Sequence, residues 1–364
     1  MSLLEVKDLR VSFPTSDGLV KAVRGVSFSV DPGRTFGIVG ESGSGKTVLT
    51  QTLLGLTPGA QISGQAIFDG TDLIGLSNEE MREIRGAQIA VIFQDPLTSL
   101  HPLYRVGWQI AEMIRAHDKS VTRAQAQERA VELLGRVGIP RPRQRVRDYP
   151  HQFSGGMRQR AMIAMALSLE PKLIIADEPT TALDATVQAQ ILDLLLRLQQ
   201  DSGTALILIT HDLGVVAGIA DDVMVMYAGR AAEVASKPDI FYRPHHPYTK
   251  GLLESIPNSS AARERLRPIT GQPPSLINVP SGCAFHPRCA YVMDRCLSDE
   301  PRLTAMPEDP YHRSACWLPA SAAGLSEQAE EVRRRTVRAG RGADAARIAT
   351  SIAESPEAEG SVIA

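Results

Sequence analysis

The sequence has no excess of either charge: 39 Lys and Arg stand against 41 Asp and Glu, a formal net charge of -2 over 364 residues. No global field therefore draws the chain toward nucleic acid or an anionic membrane surface. Long apolar runs are also missing. Stretches such as Ala205-Leu206-Ile207-Leu208-Ile209 are strand-length and fall far short of the roughly 20 residues that span a bilayer. Any membrane connection is expected to run through a partner. The start, Met1-Ser2-Leu3-Leu4-Glu5-Val6-Lys7, lacks the ordered charged and apolar regions of a signal peptide, so a cytosolic location is expected. No internal repeat stands out, which implies a single copy of the main domain. What remains is ordinary: 43% hydrophobic and 22% charged residues are values of a soluble globular protein. The length suggests two or three domains.

The first 35 or so residues alternate as strands do, most clearly in Val26-Ser27-Phe28-Ser29-Val30, and Pro32-Gly33 makes a turn, so an antiparallel sheet is expected first. Thr35-Phe36-Gly37-Ile38-Val39 then feeds a glycine-rich loop, and Val48-Leu49 and Leu53-Leu54 follow at helical spacing. From about Asp95 to Ala166 apolar positions recur at three and four residues, as in Ala130, Leu133, Leu134 and Val137, and predict a helical insert. Strand runs return at Leu173-Ile174-Ile175-Ala176 and Leu206-Ile207-Leu208-Ile209, separated by the helical pattern Val187, Ile191, Leu194, Leu195, Leu198. That alternation builds a parallel sheet, and the core is expected to be α/β. Val223-Met224-Val225-Met226 leads through Ala228-Gly229 into a hairpin and then into Pro-rich sequence from Pro238 to Pro280. The expected division is residues 1–235 for the main domain, 236–320 for a small appended domain, and 321–364 for a tail rich in Ala, Glu, Arg and Ser, expected to be flexible with a solvated helix as the alternative.

Three segments carry chemistry. Gly40-Glu41-Ser42-Gly43-Ser44-Gly45-Lys46-Thr47 fits G-x-x-x-x-G-K-[ST] between a strand and a helix, the context in which backbone amides wrap phosphates. Glycines let the backbone approach the anion closely, and the helix N-terminus favours its charge. Lys46 would reach the β and γ phosphates, and Thr47 would ligate magnesium. Asp177 and Glu178 end the strand run from Leu173. On an extended strand neighbouring side chains point to opposite sides, so Asp177 can hold magnesium while Glu178 faces an attacking water as general base. Standing alone, such an acid pair is more often a surface turn. Ser154-Gly155-Gly156, followed by Met157 and an amphipathic helix, is a second amide-rich helix start able to bind an anion. Alone it would read as a plain N-cap with glycines.

Together these residues resemble the ATP-binding cassette family, whose domains carry in order an aromatic residue, a phosphate loop, a glutamine loop, an S-G-G signature, a carboxylate pair and a histidine. The resemblance covers about residues 3 to 235. It implies that Phe13 stacks on adenine and that Gln94, in Ile92-Phe93-Gln94-Asp95-Pro96, senses magnesium and moves with a transmembrane partner. The resemblance further implies that His211, in Thr210-His211-Asp212, touches the γ-phosphate and orients Glu178. It also implies that Ser154, Gly155, Gly156, Met157 and Asp184 contact ATP held by the opposite subunit of a head-to-tail dimer. The signature departs from the commonest family form at Phe153 and Met157, which leaves the serine and both glycines in place. The implied fold is an ABC-type P-loop nucleotide-binding domain with a mixed core sheet, an antiparallel β subdomain, a helical insert and a cysteine-containing appendage.

Phe93-Gln94-Asp95-Pro96-Leu97-Thr98-Ser99-Leu100, His246-Pro247-Tyr248-Thr249 and Cys283-Ala284-Phe285-His286-Pro287-Arg288-Cys289 resemble the dipeptide and oligopeptide importer branch. This branch includes importers of nickel or glutathione. The resemblance implies an ATPase at the cytoplasmic face of the membrane. Its implied partners are a second, identical or homologous ATPase subunit, two membrane-spanning permeases and an extracytoplasmic solute-binding protein. A soluble cassette acting on ribosomes or DNA would call for two cassettes or a coiled-coil insert and a basic surface, none of which is present. A redox-sensing ATPase without transport is the other reading.

The four cysteines, Cys283, Cys289, Cys296 and Cys316, are spaced C-x5-C-x6-C-x19-C. A disulfide is disfavoured in a reducing cytosol, and the paired C-x2-C knuckles of zinc ribbons are missing. Four thiolates are the ligand set of a [4Fe–4S] cluster, which the resemblance also implies for this appendage. Zinc, with His286 or His312 as spare ligands, and buried free thiols are the alternatives.

Overall fold

The computed structural model describes residues 2–181, 183–256 and 269–319; Ala182, part of the Pro-rich segment, and the expected 321–364 tail lie outside the described residues. Four strands, β1 (Leu4–Thr15), β2 (Gly18–Val30), β4 (Gln61–Phe68) and β5 (Thr71–Asp72), form an antiparallel sheet in the order β2-β1-β4-β5. Alternating residues of β1 and β2, among them Leu4, Val6, Phe28 and Val30, are buried on one face, as the period-two pattern requires.

The larger sheet has eight strands. Five run parallel in the order β9 (Asp222–Tyr227), β3 (Thr35–Val39), β8 (Ala205–Thr210), β7 (Leu173–Asp177) and β6 (Ile89–Ile92). Every residue of β3, β7, β8 and β9 is buried, because layers cover both faces. The two layers share out the side chains alternately. Leu173 and Ile175 join the cluster under the antiparallel sheet with Leu49 and Leu53 of the helix Lys46–Leu53. Ile174 and Ala176 join the cluster with Ile191, Leu194 and Leu195 of the helix Ala185–Ser202.

The helical insert is formed by Pro96–Ser99, Val106–His117, Arg123–Arg136, Pro142–Arg145 and Gly155–Ala166. Its apolar stripes, including Ile110, Ile114, Ala130, Leu134 and Ile163, enter the same cluster as Ile174. Thr122 begins the helix Arg123–Arg136 with a capping box closed by Gln125, the pattern that fixes a helix start. No helix among the described residues is long and apolar enough to cross a membrane.

The expected hairpin is β9 with β10 (Arg230–Ser236). The chain beyond residue 236 does not stand apart from the sheet. After the helix Pro247–Glu254 it returns as β11 (Thr304–Met306) and β12 (Asp309–Ser314), and β12 pairs with β10 through Glu233↔Ser314 and Val234↔Arg313. Glu233 is fully buried there. Its carboxylate accepts hydrogen bonds from His312 Nε2 at 2.6 Å and from the amides of His245 and His246 at 2.7 and 3.1 Å. Burial alone would push its pKa up, but these donors outweigh it and hold the group below the ordinary carboxylate range.

Candidate functional site

The phosphate loop follows β3, Gln94 follows β6, Asp177 ends β7 with Glu178 next after it, and His211 follows β8. In the sheet these strands are neighbours in the order β3-β8-β7-β6, so segments far apart in sequence meet at one sheet end. Ligands of open α/β sheets sit outside the carboxyl ends of such strands. A cavity of about 780 Å³ opens there, lined by Phe13, Glu41, Ser42, Gly43, Gly45, Lys46, Thr47, Gln94, Glu178 and His211 among others.

The loop has the build of an anion cradle. Gly45 precedes the helix Lys46–Leu53 at φ 99°, and a Cβ there would overlap the Ala22 carbonyl oxygen, so only glycine fits. Lys46 is 5% exposed, and its Nζ donates to the carbonyls of Gly40 and Glu41 at 2.7 and 3.0 Å. Burial lowers its pKa, while Glu178, Asp177 and Glu41 act in the opposite sense. The Ser44 hydroxyl is buried without a partner, a cost that a bound acceptor removes.

Thr47 Oγ1 donates to Asp177 Oδ1 at 3.3 Å. Burial raises the Asp177 pKa, and the Thr47 hydrogen bond opposes it. A hydroxyl and a buried carboxylate side by side are hard oxygen donors, which suit magnesium. Gln94 stands across the cavity, its Nε2 donating to Glu178 Oε2 at 3.1 Å.

Glu178 departs from expectation in one respect. It does not continue the extended strand but takes φ 46°, a left-handed conformation uncommon outside glycine and found at functional sites. Its separation from Asp177 thus comes from a turn in the chain and not from strand alternation. Its carboxylate is gripped from three sides, by Gln94, by Thr181 Oγ1 at 2.9 Å and by His211 Nδ1 at 3.3 Å from Oε1. The His211 side chain is 60% exposed and that of Glu178 18%.

The S-G-G segment lies elsewhere. Ser154 caps the helix Gly155–Ala166 by accepting from the Met157 amide at 3.3 Å, and Ser154 and Gly155 are exposed. Gly156 has a packing reason of its own, since a Cβ would come within 2.8 Å of Val187 Cγ1. Phe153 is 2% exposed in the helical core, which accounts for an apolar residue there. Asp184 is exposed and caps the helix Ala185–Ser202 through the Val187 amide at 2.9 Å. None of Ser154, Gly155, Gly156, Met157 or Asp184 lines the cavity.

Sequence reasoning missed Leu252, Ser255 and Leu276, which line the cavity from beyond β10. It also missed Arg288 and Tyr248, which hold Glu41 of the loop. Tyr248 accepts from the Glu41 amide at 2.9 Å, and Arg288 pairs with the Glu41 carboxylate at 2.6 and 2.9 Å.

The four cysteines are unpaired by disulfides. They lie within electrostatic reach of one another, burial pushing the thiols of Cys283, Cys289 and Cys316 up, Cys316 to about 11. The donor set suits an iron–sulfur cluster in kind, but the expected four-ligand arrangement is not formed. No three His, Cys, Asp or Glu side chains among the described residues are placed to hold a metal ion. Two of the sulfurs instead accept backbone amides, Cys289 from Tyr291 at 3.3 Å and Cys316 from Leu318 at 3.5 Å. The spare candidates are occupied as well, with His312 on Glu233 and His286 Nδ1 2.9 Å from the Cys283 carbonyl.

Comparison with known proteins agrees with this geometry. Residues 23–181 match the ABC transporter family, and residues 232–296 match the oligopeptide/dipeptide transporter C-terminal region. The chain is 51% identical to the oligopeptide transport ATP-binding protein OppD of Bacillus subtilis, over 92% of this chain and 93% of that one. It is 52% identical to OppD of Escherichia coli, over 82% and 89%. It is 51% identical to the dipeptide transport ATP-binding protein DppD of Bacillus subtilis, over 87% and 94%. Among solved structures it is similar to a dimeric ATP-binding cassette in a post-hydrolysis state bound to ADP and Pi. That likeness has TM-score 0.58 and 25% identity and covers 64% of this chain and 98% of that one. A second similar structure is CbiO1 of Clostridium perfringens, part of an ABC transporter complex, at TM-score 0.57 and 29% identity, with 66% and 91% covered. The chain is therefore an ABC-type ATPase and belongs to the family of oligopeptide and dipeptide transport ATP-binding proteins.

Proposed function

We propose that this ATPase powers the import of dipeptides or oligopeptides, working as half of a two-site engine. The observation that carries the catalytic reading is the gathering of Gln94, Thr181 and His211 on the Glu178 carboxylate at the end of the cavity that holds Lys46. Glu178 is the general base that takes a proton from the attacking water, and His211 and Gln94 orient it. The loop from Gly40 to Thr47 binds the triphosphate through its amides and Lys46, and Phe13, half-buried at the cavity wall, stacks on the base. Thr47, Asp177 and Gln94 would hold magnesium, which neutralises phosphate charge when bound.

Ser154, Gly155, Gly156, Met157 and Asp184 complete the site of a second, identical or homologous cassette; the exposure of Ser154, Gly155 and Asp184, away from this chain's own cavity, supports that reading. Two permeases and an extracytoplasmic solute-binding protein are the further partners, with the chain peripheral on the cytoplasmic face of the membrane. The exposed apolar side chains that follow Gln94 support a docking surface there: Leu103 is 76%, Tyr104 47% and Trp108 37% exposed. On this reading residues 1–235 are the cassette and 236–320 the importer-type C-terminal domain. An iron–sulfur cluster on Cys283, Cys289, Cys296 and Cys316 is supported by the electrostatic reach of the four thiols on one another. An anaerobic preparation without brown colour, iron or labile sulfide would remove it.

The import reading is tested by recovering the tagged chain from membranes and identifying what accompanies it. Permeases and a second cassette are expected, and recovery of the chain alone would overturn the reading.

A further inference from the structure

Glu41 is the second residue of the phosphate loop, and its polar groups are all engaged. Its carbonyl accepts Lys46 Nζ at 3.0 Å, its amide donates to Tyr248 at 2.9 Å, and its carboxylate takes both Nη atoms of Arg288 at 2.6 and 2.9 Å. Two of these three holds come from the chain beyond residue 236. Arg288 lies in the short turn His286–Arg288 that joins Cys283 to Cys289. Its side chain is 4% exposed, its Nε donates to the Thr270 carbonyl at 3.0 Å, and its guanidinium lies 5.8 Å from the Tyr227 ring centre. Tyr248 is fully buried against Tyr227 and Phe285. The guanidinium is therefore fixed at both ends and presents a planar fork to one carboxylate, the geometry that distinguishes arginine from lysine.

A carboxylate in a phosphate loop works against the loop's task. Glu41 lines the cavity, and a bare negative charge there repels a polyanion. A cradle built from amides also binds well only when it is already in shape, because ordering a loop on binding costs affinity. The Arg288 fork answers both needs, cancelling the charge and pinning the loop at its second residue.

We propose that Arg288 is a positioning residue for ATP binding, a strut by which the cysteine-bearing segment holds the phosphate loop in its nucleotide-receiving shape through Glu41. This rests on the reading of Gly40 to Thr47 as the phosphate site. Because Arg288 adjoins Cys289, a rearrangement of the cysteine segment would reach the loop through this side chain, and through Phe285 packed on Tyr248.

The test uses the full chain and measures the dissociation constant of ATP, and the KM and kcat of hydrolysis, for Arg288→Met, Glu41→Gln and the double variant. Arg288→Met is expected to weaken ATP binding and raise KM by about tenfold with kcat within about twofold, the signature of lost binding and not of lost chemistry. Once Glu41→Gln has removed the repelling charge, adding Arg288→Met should cost less than about threefold, since coupled residues do not act additively. Arg288→Lys keeps the charge without the fork and should fall between. If Arg288→Met does not fold, Arg288→Lys alone and with Glu41→Gln carries the same comparison. Unchanged ATP affinity, or an equal loss with and without Glu41→Gln, would overturn the proposal. Lys46→Ala is the control: if it keeps wild-type ATP affinity, the phosphate-loop reading itself fails, whereas its loss beside an unaffected Arg288→Met rejects only the strut.

Discussion

Gln94 donates its side-chain amide to the Glu178 carboxylate at 3.1 Å, joining the loop after β6 to the end of β7. The same carboxylate meets Thr181 and His211, so it is oriented before any nucleotide arrives. Glu178→Gln keeps these contacts in outline and removes the base. ATP turnover of the assembled ATPase should fall by about 10²-fold or more, the range for general-base loss, while ATP binding by equilibrium titration stays within about twofold.

The contact between Thr47 and Asp177 makes a separate expectation about magnesium. Asp177→Asn keeps the shape and removes the charge. The magnesium concentration for half-maximal ATPase should rise about tenfold or more, because hard cations are held by carboxylate charge. ATP binding in excess chelator should change little; an unchanged magnesium titration would remove Asp177 from the metal role.

His211 is mostly exposed at 60% of its side chain, so its loss should spare the fold. His211→Ala is expected to lower kcat by about 10- to 100-fold and to shift the melting temperature by less than about 2 °C, as surface substitutions do. Kinetics and a thermal scan on one preparation check both.

Acid sensitivity should come from the buried histidines before the carboxylates. Burial lowers the His246 pKa from 6.5 to about 4, and it lowers His245 in the same direction. The unfolded chain therefore takes up protons below about pH 6.5 that the folded chain refuses. Stability should be level above that pH and should fall toward pH 4, by up to about 1.4 kcal/mol per unit for His246. Glu233, held low in the fold, loses its contribution only as the pH falls below the ordinary carboxylate range. His246→Asn can still accept the Tyr248 amide that His246 Nδ1 accepts at 3.0 Å. Denaturant melts between pH 7.5 and 4.5 should show a shallower slope for that variant.

The thiols should be slow to react in the metal-free folded chain. Burial pushes Cys316 to about 11 and raises Cys283 and Cys289, and the thiolate is the reactive form. Alkylation at pH 7.5, followed by mass spectrometry, should be at least about tenfold slower than in denaturant and should accelerate as the pH rises toward 10. Fast native labelling of Cys316 would contradict this.

The cassette was readable because its signals are local. The alternation of β3, β7 and β8 with helices, and the Gly40 to Thr47 spacing, each lie within a few residues. The left-handed turn at Glu178 was not readable, since nothing in Asp177-Glu178-Pro179 distinguishes a strand that stops one residue sooner. The grip of Arg288 on Glu41 was out of reach for a stronger reason. The two are 247 positions apart, and neither periodicity nor motif spacing carries information over that distance. The four thiols and the family resemblance suggested a closed four-ligand site, and the structure instead puts backbone amides on two of the sulfurs.

The pairing of β12 with β10 sets an order of events for a chain emerging from the ribosome. Glu233 is made 79 positions before His312, and β10 before the strand that covers it. Until β12 appears, β10 presents a bare edge, and the buried Glu233 has the amides of His245 and His246 but lacks the His312 donor. Bare edges are templates for wrong pairing. Chains cut short before Asp309 should thus tend to associate with one another, and β12 acts as the seal that makes the newly made molecule safe.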